Sequence, residues 1–179
     1  MDTSKSIYIR ELCAVDEANF LAIMLKSKPF HFPFVTAPQT TEEFKTYLHK
    51  SQQDDQKCYL ALDKSEHIIG VFNISGIVRG VFQSAYLGYY ASVDFADQGL
   101  MSKAFKLVLK KYFLELKLHR IEANIQPTNK SSIRLAMQNG FFKEGFSPRY
   151  LKINGVWCDH LRFALTYEDW LARQTASAI

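Results

Sequence analysis

Asp97-Gln98-Gly99-Leu100-Met101-Ser102-Lys103-Ala104 is the stretch whose reading decides the fold. An apolar, aromatic segment precedes it, Ser84-Ala85-Tyr86-Leu87-Gly88-Tyr89-Tyr90-Ala91-Ser92-Val93, and predicts a strand. Residues 102–116 follow with the spacing of an amphipathic helix. Its inward positions are Ala104, Phe105, Val108, Tyr112 and Leu116, and Lys103, Lys106, Lys110 and Lys117 form a solvated outer face. A strand, a tight glycine turn and a helix start make a cradle for phosphate. The first N–H groups of a helix lack internal partners, and the dipole there favours anions. Gly99 lets the backbone approach a pyrophosphate closely. A phosphorylated cofactor is therefore expected here. A dinucleotide-binding site would show G-x-G-x-x-G after its first strand, and a P-loop G-x-x-x-x-G-K-[ST]; the chain has neither.

Outward from this point, residues 7–12 alternate and predict a strand, and 16–26 a helix that Pro29 ends. Pro29-Phe30-His31-Phe32-Pro33-Phe34-Val35 reads as an ordered aromatic loop. Thr40 and Glu43 have the spacing of a capping box, opening a second helix with Phe44, Tyr47 and Leu48 on one side. Strands follow at 58–62 and 67–75, with Gly76 and Gly80 punctuating the next connection. Beyond the central helix, 119–125 predicts a strand stopped by Pro127, and Asn129 caps a short helix over 130–139 that Gly140 ends. Residues 141–146 predict a short strand. Asn154-Gly155 marks a hairpin between 150–153 and 156–165, and a capped tail runs over 166–170.

This order predicts an α+β fold. Its central sheet is mixed and mostly antiparallel, with helices on both faces and a C-terminal hairpin, and the helix after Gly99 crosses between parallel neighbours. Residues 7–170 are expected to form one domain, with tails at 1–6 and 171–179.

At 179 residues, 47% hydrophobic and 22% charged, the composition is that of an ordinary globular protein. A net charge of +4 suits an anionic cofactor and is too small to argue for nucleic-acid binding. Cys13, Cys58 and Cys158 lack metal-ligand spacing and are odd in number, so reduced, mostly buried thiols are expected and no metal site. The N-terminus lacks a signal-peptide core and no apolar run is long enough to span a bilayer, so a cytoplasmic location is expected.

A glycine turn placed after mid-chain, behind a strand carrying Gly88-Tyr89-Tyr90, resembles the GNAT superfamily of acetyl-CoA-dependent N-acetyltransferases, whose pyrophosphate motif is Q/R-x-x-G-x-G/A. Further segments are similar to the RimJ/RimL group, its RimJ branch above all. They are His119-Arg120-Ile121-Glu122-Ala123-Asn124, Pro127-Thr128-Asn129-Lys130-Ser131-Ser132, Asn139-Gly140-Phe141, Lys143-Glu144-Gly145, and Tyr150 through His160. The chain departs from the motif at Ala96, where Gln or Arg is usual, and at Met101, where Gly or Ala is usual.

The resemblance implies an enzyme that moves acetyl from acetyl-CoA to a protein N-terminal amine, a ribosomal protein with N-terminal alanine being the expected acceptor. It implies a GNAT fold and acetyl-CoA as cosubstrate. It assigns Ala91 and Val93 to the strand that pairs with the pantetheine arm, and Gln98, Gly99, Leu100, Met101, Ser102 and Lys103 to the pyrophosphate cradle. Asn124 and Asn129 are assigned to the cofactor, Asn129 also serving as a helix cap. Ser132 is the candidate proton donor to the departing thiolate, or a plain first-turn polar residue. Leu151 stands where the RimL branch has a glutamate, leaving Glu122, Asp159 and His160 as candidate bases or structural groups. An α-amine has a pKa of about 8, so a modest base suffices. The aromatic segment with His31 walls the peptide site or packs locally. Two other readings are a small-molecule amine acetyltransferase and a non-catalytic ribosome-associated protein that binds acetyl-CoA. No membrane and no direct nucleic-acid partner is expected, and the protein is a monomer or a homodimer.

Overall fold

The computed structural model describes residues 6–176. The strands are β1 (Ile7–Glu11), β2 (Gln56–Asp63), β3 (Ile68–Val78), β4 (Ser84–Ala91), β5 (Arg120–Ile125), β6 (Phe142–Ile153) and β7 (Val156–Thr166). The helices are α1 (Glu17–His31), α2 (Thr41–Ser51), α3 (Leu100–Lys110), α4 (Lys130–Gln138) and α5 (Tyr167–Ala176). One sheet takes all seven strands in the order β1-β2-β3-β4-β5-β7-β6. Only β4 and β5 are parallel neighbours, and α3 is their crossover. The expected α+β class and the mixed, mostly antiparallel sheet are what the chain adopts.

Each face of the sheet carries its own core. Phe105 and Val108 of α3, with Tyr112 just beyond its end, pack with Phe72, Ile121 and Phe163 on one face. Phe20 and Met24 of α1 and Phe44 of α2 pack with Leu60, Leu62 and Val71 on the other. Side chains alternate along a strand, so β2 sends Tyr59 and Ala61 to the first core and Cys58, Leu60 and Leu62 to the second. Burial on both faces explains its unbroken apolar run. The capping box of α2 forms as its spacing predicts: the Thr40 hydroxyl accepts from Glu43 N–H at 3.2 Å and the Glu43 carboxylate accepts from Thr40 N–H at 3.2 Å.

Several boundaries differ from the sequence reading. α1 runs through Pro29 to His31. Proline removes only the N–H that would reach Leu25, a residue on the solvent side where water can serve the carbonyl. The aromatic segment is thus helix up to His31 and turn only after it. α3 starts at Leu100 rather than Ser102, and after Lys110 the chain winds as a π turn over Lys111–Glu115, which buries both Tyr112 and Phe113. Gly76 lies within β3. The strands expected at 141–146 and 150–153 are one strand, β6, whose register shifts between Ser147 and Leu151, with Arg149 at φ 48. α5 continues through residues 171–176, which were expected as tail; residues 1–5 and 177–179 of the expected tails lie outside the described residues. The three cysteines are free, Cys58 buried and the other two half-buried. No helix among the described residues is long and apolar enough to cross a membrane.

Candidate active site

The parallel seam between β4 and β5 closes over only three residue pairs, Ser84–Arg120, Ala85–Ile121 and Tyr86–Glu122. Beyond them β4 stays with β3 as far as Ala91, and β5 stays with β7 as far as Ile125. The sheet therefore opens in a wedge at its centre. Ser92 N–H bonds Ile69 C=O at 2.9 Å on the β3 side. Backbone groups alternate along an antiparallel strand, so those of Ala91 and Tyr89 face the wedge. The Ala91 carbonyl accepts from His31 Nε2 at 2.8 Å. That bond fixes the tautomer, with the proton on Nε2. Burial lowers the His31 pKa against the opposing pull of the Ala91 carbonyl, so the ring is neutral at pH 7.

α3 starts at the mouth of the wedge. Gly99 is its N-cap at φ 73, a conformation that favours glycine, and supplies no capping side chain. The first intrahelical bond runs from Lys103 N–H to Gly99 C=O at 3.4 Å. Leu100, Met101 and Ser102 N–H have no acceptor among the described residues, and the first turn carries no acid. Three free donors at the positive end of an 11-residue helix are suited to a diphosphate. Met101, where the motif expects a small residue, turns its side chain away over Gly70, so the cradle is lined by its backbone.

A cavity of about 350 Å³ joins the wedge to this helix end, a size that suits a small-molecule arm. Of the expected site residues, Ala91, Gly99, Met101, Ser102, Asn129 and Ser132 line it. Asn129 caps α4, its side-chain oxygen accepting from Ser132 N–H at 3.2 Å. The Ser132 carbonyl accepts from the Tyr89 hydroxyl at 2.7 Å, which ties α4 to β4, while the Ser132 hydroxyl has no hydrogen-bond partner among the described residues.

A second, more open hollow of about 710 Å³ lies beside the first along β4, under α2. It shares Phe34, Val35, Tyr89 and Tyr90 with the first. Its floor holds a hydrogen-bonded group drawn from four elements, α2, β2, β3 and β4. The Tyr47 hydroxyl donates to the Asn73 side-chain oxygen and lies 3.2 Å from the Tyr90 hydroxyl and 3.3 Å from Cys58 Sγ. Burial raises the pKa of Tyr47 and Tyr90 and pushes the Cys58 thiol up to about 12. The floor is therefore polar and uncharged at neutral pH. Sequence reading took Tyr47 only as part of an apolar helix face; the available signal was Asn73, a polar residue inside an otherwise apolar strand.

The other expected residues lie elsewhere. Glu122 accepts from Arg120 Nε at 3.0 Å, within an ion-pair group completed by Glu144. Asp159 accepts from Arg149 N–H at 2.7 Å and supports the bulge of β6. His160 is buried with Nδ1 2.9 Å from the Cys158 carbonyl. None of these three lines either hollow. Val93 N–H donates to the Ser27 hydroxyl at 3.1 Å, and the Gln98 side chain folds back on the Asp94 carbonyl at 3.0 Å. Leu100 points into the core, leaving its backbone N–H to the cradle, while Lys103 points into solvent and its N–H is engaged by the Gly99 carbonyl. Asn124 lies on β5 with its side-chain oxygen buried and without a partner among the described residues, an acceptor suited to an amide N–H.

Comparison with known proteins identifies the family and the fold. The family model described as acetyltransferase (GNAT) domain matches residues 6–142. The probable N-acetyltransferase YjcK of Bacillus subtilis strain 168 is 34% identical over 176 residues, covering 92% of this chain and 96% of that one. The [ribosomal protein uS5]-alanine N-acetyltransferase of Escherichia coli K12 is 43% identical over 105 residues, 59% of this chain and 54% of that enzyme, so the match spans about half of it. The crystal structure of ribosomal-protein-S5-alanine acetyltransferase from Vibrio fischeri superposes with a TM-score of 0.82 at 26% identity, covering 92% of this chain and 94% of that one.

Proposed function

The chain belongs to the acetyltransferase (GNAT) family, and from that premise we propose that it carries acetyl from acetyl-CoA to the N-terminal α-amine of a protein, first among candidates a ribosomal protein with N-terminal alanine. N-acetyl transfer with acetyl-CoA as cosubstrate is the activity of the family. One observation supports the finer reading above the rest: two hollows adjoin along β4 and share Tyr89 and Tyr90. A thioester entering along the wedge and an amine entering under α2 would meet there, which is the positioning that direct transfer needs.

In the transfer the amine nitrogen bonds to the acetyl carbon, the carbon–sulfur bond breaks, and the sulfur leaves with a proton. We assign the Leu100, Met101 and Ser102 N–H groups to the pyrophosphate and the wedge-facing N–H groups of Tyr89 and Ala91 to the thioester arm and its developing oxyanion. The Ser132 hydroxyl is assigned as proton donor to the sulfur. An α-amine with a pKa of about 8 is partly neutral at physiological pH, so water can remove its proton. No role as base is assigned to Glu122, Asp159 or His160.

The uncharged floor of the acceptor hollow supports a peptide acceptor. Glu42, Glu43 and Lys50 stand together at its rim, and the Glu43 carboxylate is engaged by Gln39 and Thr40 N–H. The edge carries two carboxylates beside one ammonium, which suits the approach of a basic α-amine over an uncharged floor. Intact-mass spectrometry of non-acetylated ribosomal proteins incubated with the protein and acetyl-CoA tests the reading. Gain of one acetyl group on a single N-terminus is the expected result. No gain, with spermidine or an amino acid acetylated instead, would transfer the assignment to a small amine.

A further inference from the structure

Gly88 has no structural reason to be glycine. It sits inside β4, paired with Asn73 in an unbroken stretch of register from Gly70–Ala91 to Ser75–Tyr86. A glycine within a strand weakens it and marks a bulge, a bend, or a place where another group comes close. There is no bulge at this pair, and Gly88 is not among the positive-φ glycines. A Cβ built there would meet nothing nearer than the Asn73 Cβ, at 4.0 Å, an ordinary contact. Gly70, on the neighbouring strand, differs: a Cβ there would collide with Met101. What a side chain at Gly88 would occupy is empty space, and that space is the acceptor hollow.

Strand alternation fixes which hollow. Gly88 and Tyr90 point to the α2 face, and Leu87 lies in the α3 core. Gly88 lines the acceptor hollow and does not line the cofactor cavity. We propose that the missing side chain of Gly88 sets the room for the group next to the acceptor's amine, and that the space over it, beside Tyr47, Asn73 and Tyr90, takes an uncharged first residue of a peptide. The proposal rests on the N-terminal reading above for the class of acceptor, and on the placement of Gly88 for the limit on size. The neutral floor matches an uncharged side chain: a buried ammonium or carboxylate would find no opposite charge there.

The test is a series, Gly88→Ala and Gly88→Val, assayed with acetyl-CoA and peptides beginning with alanine, valine or leucine, with CoA affinity and thermal stability measured alongside. Each added methyl should remove the bulkier peptides first. Gly88→Val should lower kcat/KM for its best peptide roughly tenfold or more, the scale on which one group in a close pocket discriminates, while the Kd for CoA changes by less than about twofold. An equal fall for all peptides, an unchanged ranking, or a parallel loss of CoA affinity overturns the size limit. Gly88→Ala guards against misfolding of the valine variant, because the added Cβ meets only an ordinary contact. Spermidine as acceptor separates the two layers. A wild-type protein that acetylates spermidine and no peptide refutes the peptide class, and Gly88→Val must then block spermidine for the size limit to stand. A wild-type protein that acetylates neither overturns both.

Discussion

The sulfur of Met101 occupies the space that a side chain on Gly70 would need. Two departures from common pattern, a methionine at the start of α3 and a glycine inside β3, thus account for each other. Gly70→Ala drives a methyl against Met101 and toward the Tyr90 carbonyl, 3.0 Å away, which cannot yield. We expect a loss of about 1–3 kcal/mol in stability and weaker CoA binding, since Met101, displaced from Gly70, borders the cofactor cavity. Adding Met101→Ala should restore part of both. Urea unfolding and calorimetry on the two single variants and the double variant form the cycle; strict additivity would show the two residues to be uncoupled.

Gly99→Glu should weaken CoA binding by about 2–3 kcal/mol, roughly a hundredfold, because it sets a negative charge beside the pyrophosphate. Gly99→Ala is the control. It places a Cβ in open space, so it should cost about 1 kcal/mol of backbone strain and leave affinity within a few-fold. Calorimetric titration with CoA reads both, and undiminished affinity in the glutamate variant would remove the helix start from the cofactor site.

Ser132→Ala should lower kcat by about 10²-fold with CoA affinity unchanged, if its hydroxyl protonates the leaving sulfur. Single-turnover rates measure this step directly. A full rate in the variant would leave Ser132 as the first-turn residue that Asn129 caps.

Burial of neutral His31 makes stability depend on pH in a defined direction. Its pKa is lowered in the fold and stands at about 6.5 in the unfolded chain. The unfolded state therefore binds more protons as pH falls through this range, and stability present above pH 6.5 is lost on acidification toward the folded value. His31→Gln keeps a donor for the Ala91 carbonyl and should flatten the decline between pH 7 and pH 5. The lowered carboxylates Asp16 and Glu144 act only at more acidic pH, so denaturation curves at three values in this window isolate the histidine. Parallel curves for the two proteins would deny it the role.

Local rules were legible in the sequence where one short segment contains the whole cause. Thr40 and Glu43 cap each other, Asn154-Gly155 turns a hairpin, and Gly99 opens α3. The helix did not stop at Pro29, because a proline in the last turn forfeits a single bond at an exposed place. The acceptor side was illegible for a different reason. Tyr47, Asn73 and Tyr90 come from α2, β3 and β4, and only the paired strands bring them together. Glu122, Asp159 and His160 had the right chemistry by type, yet their hydrogen bonds hold an ion-pair group, a bulge and a buried strand position. A residue type announces what it can do, and the partners that engage it come from the fold.

The short seam between β4 and β5 gives the sheet, besides its two outer edges, unpaired edges on both β4 and β5 that run inward through its middle. An edge is normally blunted or covered, since unpaired backbone invites another strand. Here a bound pantetheine arm would serve as the covering, pairing where a strand might. The acylated carrier would then act as a piece of the architecture as well as a reactant, and the protein's resistance to unfolding and to self-association should rise and fall with the supply of that carrier.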